Sequence, residues 1–238
     1  MLYGFSTGAL AKGEFRQALA MLEPHSLGAI EVSALRLSEL ERTVDELPSL
    51  DLARYRHVSV HVPSKYRADE EPGIVAAVAR VIDRVDGVVL HAEAVLDAAL
   101  WHGFGAKVWV ENADLRKHTG RTCDEMLSVM ARLPDARVCF DMAHAYQIDF
   151  SLVESRRILR AFEGRVAQIH LSQLDHACRH EALSYGIVDR FRLLAPMLVD
   201  VPVILESCVP SNKIASQVRL ARSCFEPQVY AEAFAAAE

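Results

Sequence analysis

Six short, largely apolar runs in this chain end on a side chain that binds metals or moves protons. Val58-Ser59-Val60 runs into His61, Val88-Val89-Leu90 into His91, Val108-Trp109-Val110 into Glu111, Val138-Cys139-Phe140 into Asp141, Gln168-Ile169 into His170 and Val203-Ile204-Leu205 into Glu206. Helix-like stretches separate the runs, so they read as parallel strands whose carboxyl ends converge on one polar centre. A (β/α)8 barrel keeps its active site at that end.

The whole chain follows the same alternation. Strands are expected at Leu2 to Ser6, Ala29 to Ser33, Val58 to Val62, Val88 to His91, Lys107 to Glu111, Arg137 to Asp141, Val166 to Leu171 and Val203 to Glu206. They are short, rich in Val and Ile and mostly uninterrupted, the pattern of parallel strands covered on both faces. Between them, Ile74, Val75, Val78, Val81, Ile82 and Val85 have helical spacing. Ser38 with Glu41, Thr122 with Glu125 and Ser151 with Glu154 fit the capping box that starts a helix.

Strict alternation predicts an α/β fold, and eight units favour a closed (β/α)8 TIM barrel over an open doubly wound sheet. No GxGxxG follows the first strand and no GxxxxGK[ST] occurs, which counts against a nucleotide-binding sheet. At 238 residues the chain suits one such barrel and not two. The reading is therefore a single domain over 1–238, with Ala-rich residues 226–238 as a C-terminal helical extension.

Charge and composition narrow the partners. A formal net charge of −6 offers no general attraction to nucleic acid phosphates. Neither a basic-then-apolar leader nor a run of about 20 apolar residues is present, so the expectation is a cytoplasmic protein with no membrane partner. Cys123, Cys139, Cys178, Cys208 and Cys224 are odd in number and lack a CxxC pair, which predicts reduced thiols. No helix face is apolar enough to define an oligomer.

The strand-end residues carry the chemistry. Imidazoles and carboxylates are ligands for Zn, Mn and related ions, and a site needs several converging from separate elements. A lone histidine at a strand end is commonly a hydrogen-bonded structural residue. Ionised Glu111, Asp141 and Glu206 at the ends of apolar strands are harder to account for without a cation or strong donors. Asp141-Met142-Ala143-His144 offers two ligands from one turn, and the loop after His170 holds Asp175, His176, Cys178 and His180.

The set HVSVHVPS, VVLHAE, VWVEN, FDMAHA, QIHLSQ, HEALSYG and VILES resembles the xylose isomerase-like barrel superfamily over almost the whole chain. That superfamily contains sugar isomerases and epimerases and the endonuclease IV family of DNA repair enzymes. The resemblance implies a central metal site at Glu111, Asp141, His170 and Glu206, with one to three divalent ions (Mn, Zn, Co or Mg) per chain. It further implies that His61, His91, His144 and His180 stand where the endonuclease branch carries the other ligands of a three-zinc cluster. One position departs from that branch: Cys178 replaces the aspartate expected two residues before the loop histidine.

Two reactions follow from the resemblance. The favoured one is isomerisation or epimerisation of a small sugar or sugar phosphate through an enediolate, with Glu111 and Glu206 as bases and His144 orienting a substrate oxygen. The alternative is a multinuclear zinc phosphodiester hydrolase acting on apurinic-site DNA or a smaller phosphoester, the only case in which nucleic acid is a partner. Lys65 after the third strand, and Arg116 and Lys117 after the fifth, are placed to meet a substrate phosphate, although flanking cations are usually just solvated.

Overall fold

The architecture follows from alternation within each strand. In His57-Val58-Ser59-Val60-His61 the two valines join the large apolar cluster shared with the helices. The three polar residues bond across the interior, His57 and Ser59 to Gln168 and His61 to Glu111. Period-2 geometry sends successive side chains to opposite faces. Apolar residues thus face the helix layer and polar ones face the barrel axis, so these strands are less uniformly apolar than the sequence pattern suggested.

The computed structural model describes residues 1–230. Its strands are β1 (Tyr3–Ser6), β2 (Ala29–Ser33), β3 (His57–His61), β4 (Gly87–His91), β5 (Val108–Glu111), β6 (Arg137–Asp141), β7 (Val166–Leu171), β8 (Gln173–Leu174), β9 (His180–Glu181) and β10 (Val203–Leu205). Eight of them close in the order β1-β10-β7-β6-β5-β4-β3-β2, and every barrel pair is parallel. Helices connect them, making a (β/α)8 TIM barrel. Val89, Trp109, Cys139 and Ala167 form a small apolar cluster inside the barrel, apart from the main core.

The expected strands all occur, with ends moved by a residue or so. The antiparallel pair β8–β9 is an addition: it folds the loop after β7 back on itself and presents His180. The helical spacing from Ile74 to Val85 divides into helix Glu71–Ala79 and a short turn at Ile82–Arg84. Of the extension expected at 226–238, residues 227–230 form a helical turn and the rest lies outside the described residues. No helix among the described residues is long and apolar enough to cross a membrane.

Helix starts were partly legible. Thr122 caps Cys123–Ala131 as expected, its hydroxyl accepting from Glu125 N at 3.3 Å. At Leu37–Glu46 the cap is Arg36, two residues before Ser38, because the Glu39 carboxylate accepts from the backbone of Leu35 and Arg36. At Val153–Ala161 the Asp149 carboxylate, a stronger acceptor than a hydroxyl, takes the Glu154 N–H at 2.9 Å that Ser151 was expected to serve.

β1 and β2 approach closely at Gly4, whose register partner is Ala29. A Cβ at Gly4 would lie 2.0 Å from the Ala29 carbonyl oxygen, and backbone cannot yield as a side-chain tip can. Gly4→Ala is expected to destabilise the barrel by about 3 kcal/mol, read as a lower urea midpoint. A wild-type midpoint would show that the β1–β2 contact is not under this constraint.

Candidate metal centre

The carboxyl ends of the strands bring all eight sequence-predicted ligands together. Their donor atoms form three groups, each within 4.8 Å: His61, His91 and Glu111; Glu111, Asp141, His170 and Glu206; and Asp141, His144 and His180. Glu111 belongs to the first two groups and Asp141 to the last two. Glu111 is the hub: its Oε2 lies 3.0 Å from His61 Nε2 and 3.3 Å from His91 Nε2. Its Oε1 lies 3.1 Å from His170 Nδ1 and 3.4 Å from His144 Nδ1.

Local structure aims these groups. Asp141 ends β6 and caps the helix Met142–Ile148, with Oδ1 accepting from His144 N at 2.7 Å. The cap carries His144 back toward the strand ends. Asn112 clips β5 to β6 by donating to Asp141 O at 2.9 Å and accepting from Asp141 N at 2.8 Å. His61 Nδ1 donates to Val62 O at 2.8 Å and His144 Nδ1 to Asn112 O at 2.9 Å, so Nε2 of each ring is the nitrogen that would serve as ligand once it carries no proton.

Burial and neighbours divide the charges. Burial opposes a charge on Glu111, yet the charge and hydrogen bond of His170, with the hydrogen bond from His61, hold its carboxylate well below the usual range. Burial, reinforced by Glu111, Asp141 and Glu31, pushes Glu206 up to about 8. His91 and His180 are held down to about 3 by burial, aided by neighbouring imidazoles, and are neutral, as metal ligands must be. Burial works against protonation of His61 as well, but its hydrogen bond to Glu111 raises it to about 9.

The donor set fits divalent cations. Asp141 Oδ2, His144 Nε2 and His91 Nδ1 are buried without a hydrogen-bond partner. Orphaned buried acceptors are costly and call for explanation. Mixed imidazole and carboxylate donors suit Zn, Mn and related ions.

Other expected residues sit differently. Cys178 has φ 56° in the turn between β8 and β9, and its sulfur faces Gln147, with Gln147 Nε2 donating at 3.1 Å. It is outside all three donor groups. His176 is exposed and away from them. Lys117 is buried against Glu93 and Arg116 pairs with Asp114, and both cations line the site cavity. Lys65 is exposed and lines the site cavity.

Sequence reading missed several participants. Lys12 and Arg36 join Lys65 on the rim of this cavity, which holds about 730 Å³ above the donor groups. Lys12 and Lys65 form no ion pair among the described residues, and Arg36 reaches Glu39 only at 3.8 Å. Lys12 also has φ 53°, an unfavourable conformation for a residue with a Cβ. Glu31, in the middle of β2, hydrogen-bonds His170 and was also missed. An acid between Ile30 and Val32 was the available signal.

No protein-family model and no curated protein matches the sequence. Solved structures do match the fold. The 3-keto-D-glucoside 4-epimerase from E. coli superposes with a TM-score of 0.62 at 14% identity, over 94% of this chain and 100% of that one. A xylose isomerase-like TIM barrel protein from Mycobacterium smegmatis, in complex with magnesium, gives 0.57 at 11% identity over 91% of each chain. An AP endonuclease, family 2, from Brucella melitensis gives 0.55 at 15% identity, over 88% of this chain and 94% of that one. The fold is a (β/α)8 TIM barrel similar to these. At such identities the likeness concerns the fold, and the chemistry must be argued from the site.

A cation entering these groups must displace protons, since His61 is protonated below about pH 9 when no ion is bound. Divalent-ion affinity should therefore tighten from about pH 6 to about pH 8. Calorimetric heats should vary with the ionisation enthalpy of the buffer. Affinity independent of both would contradict this donor set.

Proposed function

We propose that this protein is a divalent-metal-dependent phosphoester hydrolase with a multinuclear centre. The observation that carries the reading is the sharing of carboxylates: Glu111 and Asp141 each belong to two adjacent donor groups. A mononuclear isomerase has no need of His61, His91, His144 and His180 as ligands. In this reading each of the three groups would hold an ion, with Glu111 and Asp141 each available to two of them. Bound divalent ions supply charge neutralisation and Lewis-acid polarisation at a phosphoryl group.

The chain's own residues do the rest. Lys12, Arg36 and Lys65 on the rim bind and orient the anionic substrate. Glu206, only 14% exposed at its side chain, takes up or returns a proton at its carboxylate. Small side chains at Ser6, Ala9, Ser33 and Ala34, at and after the ends of β1 and β2, leave room in the cavity for the organic part of the ester. A cavity of about 730 Å³ is in the range of small-molecule sites, which favours a small phosphoester over a long duplex.

One observation favours a second reading, an isomerase or epimerase of a small sugar or sugar phosphate. Glu206 is pushed up to about 8, suitable for removing and returning a proton near neutral pH, with Glu111 as the second base and His144 orienting a substrate oxygen.

Turnover separates the two. The metal-loaded protein should hydrolyse bis(4-nitrophenyl) phosphate, and His91→Ala should lower that rate at least about 100-fold, more than loss of an outer-shell partner costs. Wild type inert toward phosphoesters but active on ketoses, with His91→Ala nearly unimpaired, would establish the second reading instead.

A further inference from the structure

Glu31 is fully buried, and its Oε2 accepts from Gln168 Nε2 at 2.7 Å and meets His170 Nε2 at 2.9 Å. Gln168 is fixed in turn. Its Oε1 accepts from Ser59 Oγ at 2.8 Å and from His57 Nε2 at 2.8 Å. With the carboxamide reversed, its oxygen would face the Glu31 carboxylate, so the network admits one orientation. Gln168 Nε2 and His170 Nε2, both within reach of the same Glu31 oxygen, are 2.9 Å apart.

Both ring nitrogens of His170 face carboxylates, and an ion bound at Nδ1 would leave the remaining proton on Nε2, against Glu31. With Nε2–H bonded to Glu31, the other nitrogen, Nδ1, is directed at Glu111 Oε1, 3.1 Å away, and Glu206 Oε2, 3.6 Å away. We propose that Glu31 is a positioning residue: it holds the ring of His170 and its Nε2 proton so that the Nδ1 lone pair is presented to the central donor group. A carboxylate behind a ligating imidazole fixes its tautomer and orientation and raises its basicity. The inference rests on the reading that Glu111, Asp141, His170 and Glu206 hold a divalent ion.

Two variants test it by ion binding, without reference to turnover. Glu31→Gln keeps the size and removes the charge. Glu31→Asp keeps the charge and withdraws the carboxylate by one methylene. Zinc and cobalt dissociation constants are measured on folded protein by chelator competition, alongside the visible absorption of bound cobalt and the melting of metal-free protein. Both variants should bind one ion per chain about 10- to 100-fold more weakly, with an altered cobalt spectrum.

A purely structural role would lower the melting temperature and leave ion affinity unchanged, which would overturn the inference. Wild-type affinity in Glu31→Asp would also overturn it, since charge alone would then suffice. Should Glu31→Gln fail to fold, Glu31→Asp decides the matter. Failure of the wild type itself to bind any divalent ion would remove the metal reading and this inference together. Wild-type binding with unchanged variants would remove this inference alone.

Discussion

Four carboxylates, from Glu31, Glu111, Asp141 and Glu206, meet in one buried volume at the carboxyl end of the barrel. Among the described residues none of them pairs with a lysine or arginine. Their partners are imidazoles, from His61, His91, His144, His170 and His180. Burying so much like charge is expensive unless positive charge and hydrogen bonds compensate it. Protonated imidazoles compensate part of it; cations at the three donor groups would complete the compensation and satisfy the orphaned acceptors. The placement of donors, clips and caps around the barrel mouth follows from this constraint.

The constraint reaches down the barrel axis. Because the upper interior is given to ionisable groups, the strands send most of their branched aliphatics outward to the helix layer, and among the described residues Val89, Trp109, Cys139 and Ala167 make a small apolar cluster inside. Polar contacts then extend inward in register: His170 to Glu31, Glu31 to Gln168, Gln168 to His57. The shared bonds orient each member of this network against its neighbours, while Glu31 Oε1 is left without a hydrogen-bond partner. At the mouth, Asn112 fixes β6 against β5, so the two residues shared between donor groups, Glu111 and Asp141, come from strands locked to each other.

The strand-end residues were legible because a parallel barrel gathers the last residue of each strand at one end. His61, His91, Glu111, Asp141, His170 and Glu206 each stood at the close of an apolar run, and the fold brings all six together. Glu31 was not legible, since its neighbours are apolar and its partner, His170, lies 139 residues away. Lys117 and Arg116 looked available because nothing in sequence marks Glu93 and Asp114 as their partners. Cys178 stood at a suggestive spacing, but the turn between β8 and β9 directs its sulfur to Gln147. Helix starts shifted where a nearby carboxylate, Glu39 or Asp149, outcompeted the expected hydroxyl.

The central claim is that these donors hold more than one ion. The most direct measurement is the number and identity of divalent ions per chain, by elemental analysis of purified protein with their positions taken from anomalous scattering in crystals. Two or three ions per chain are predicted, one of them bounded by His61, His91 and Glu111 and another by Glu111, Asp141, His170 and Glu206. A single ion at the second group, with His61 and His91 bare at saturating metal, would contradict the multinuclear account and return the protein to the isomerase reading.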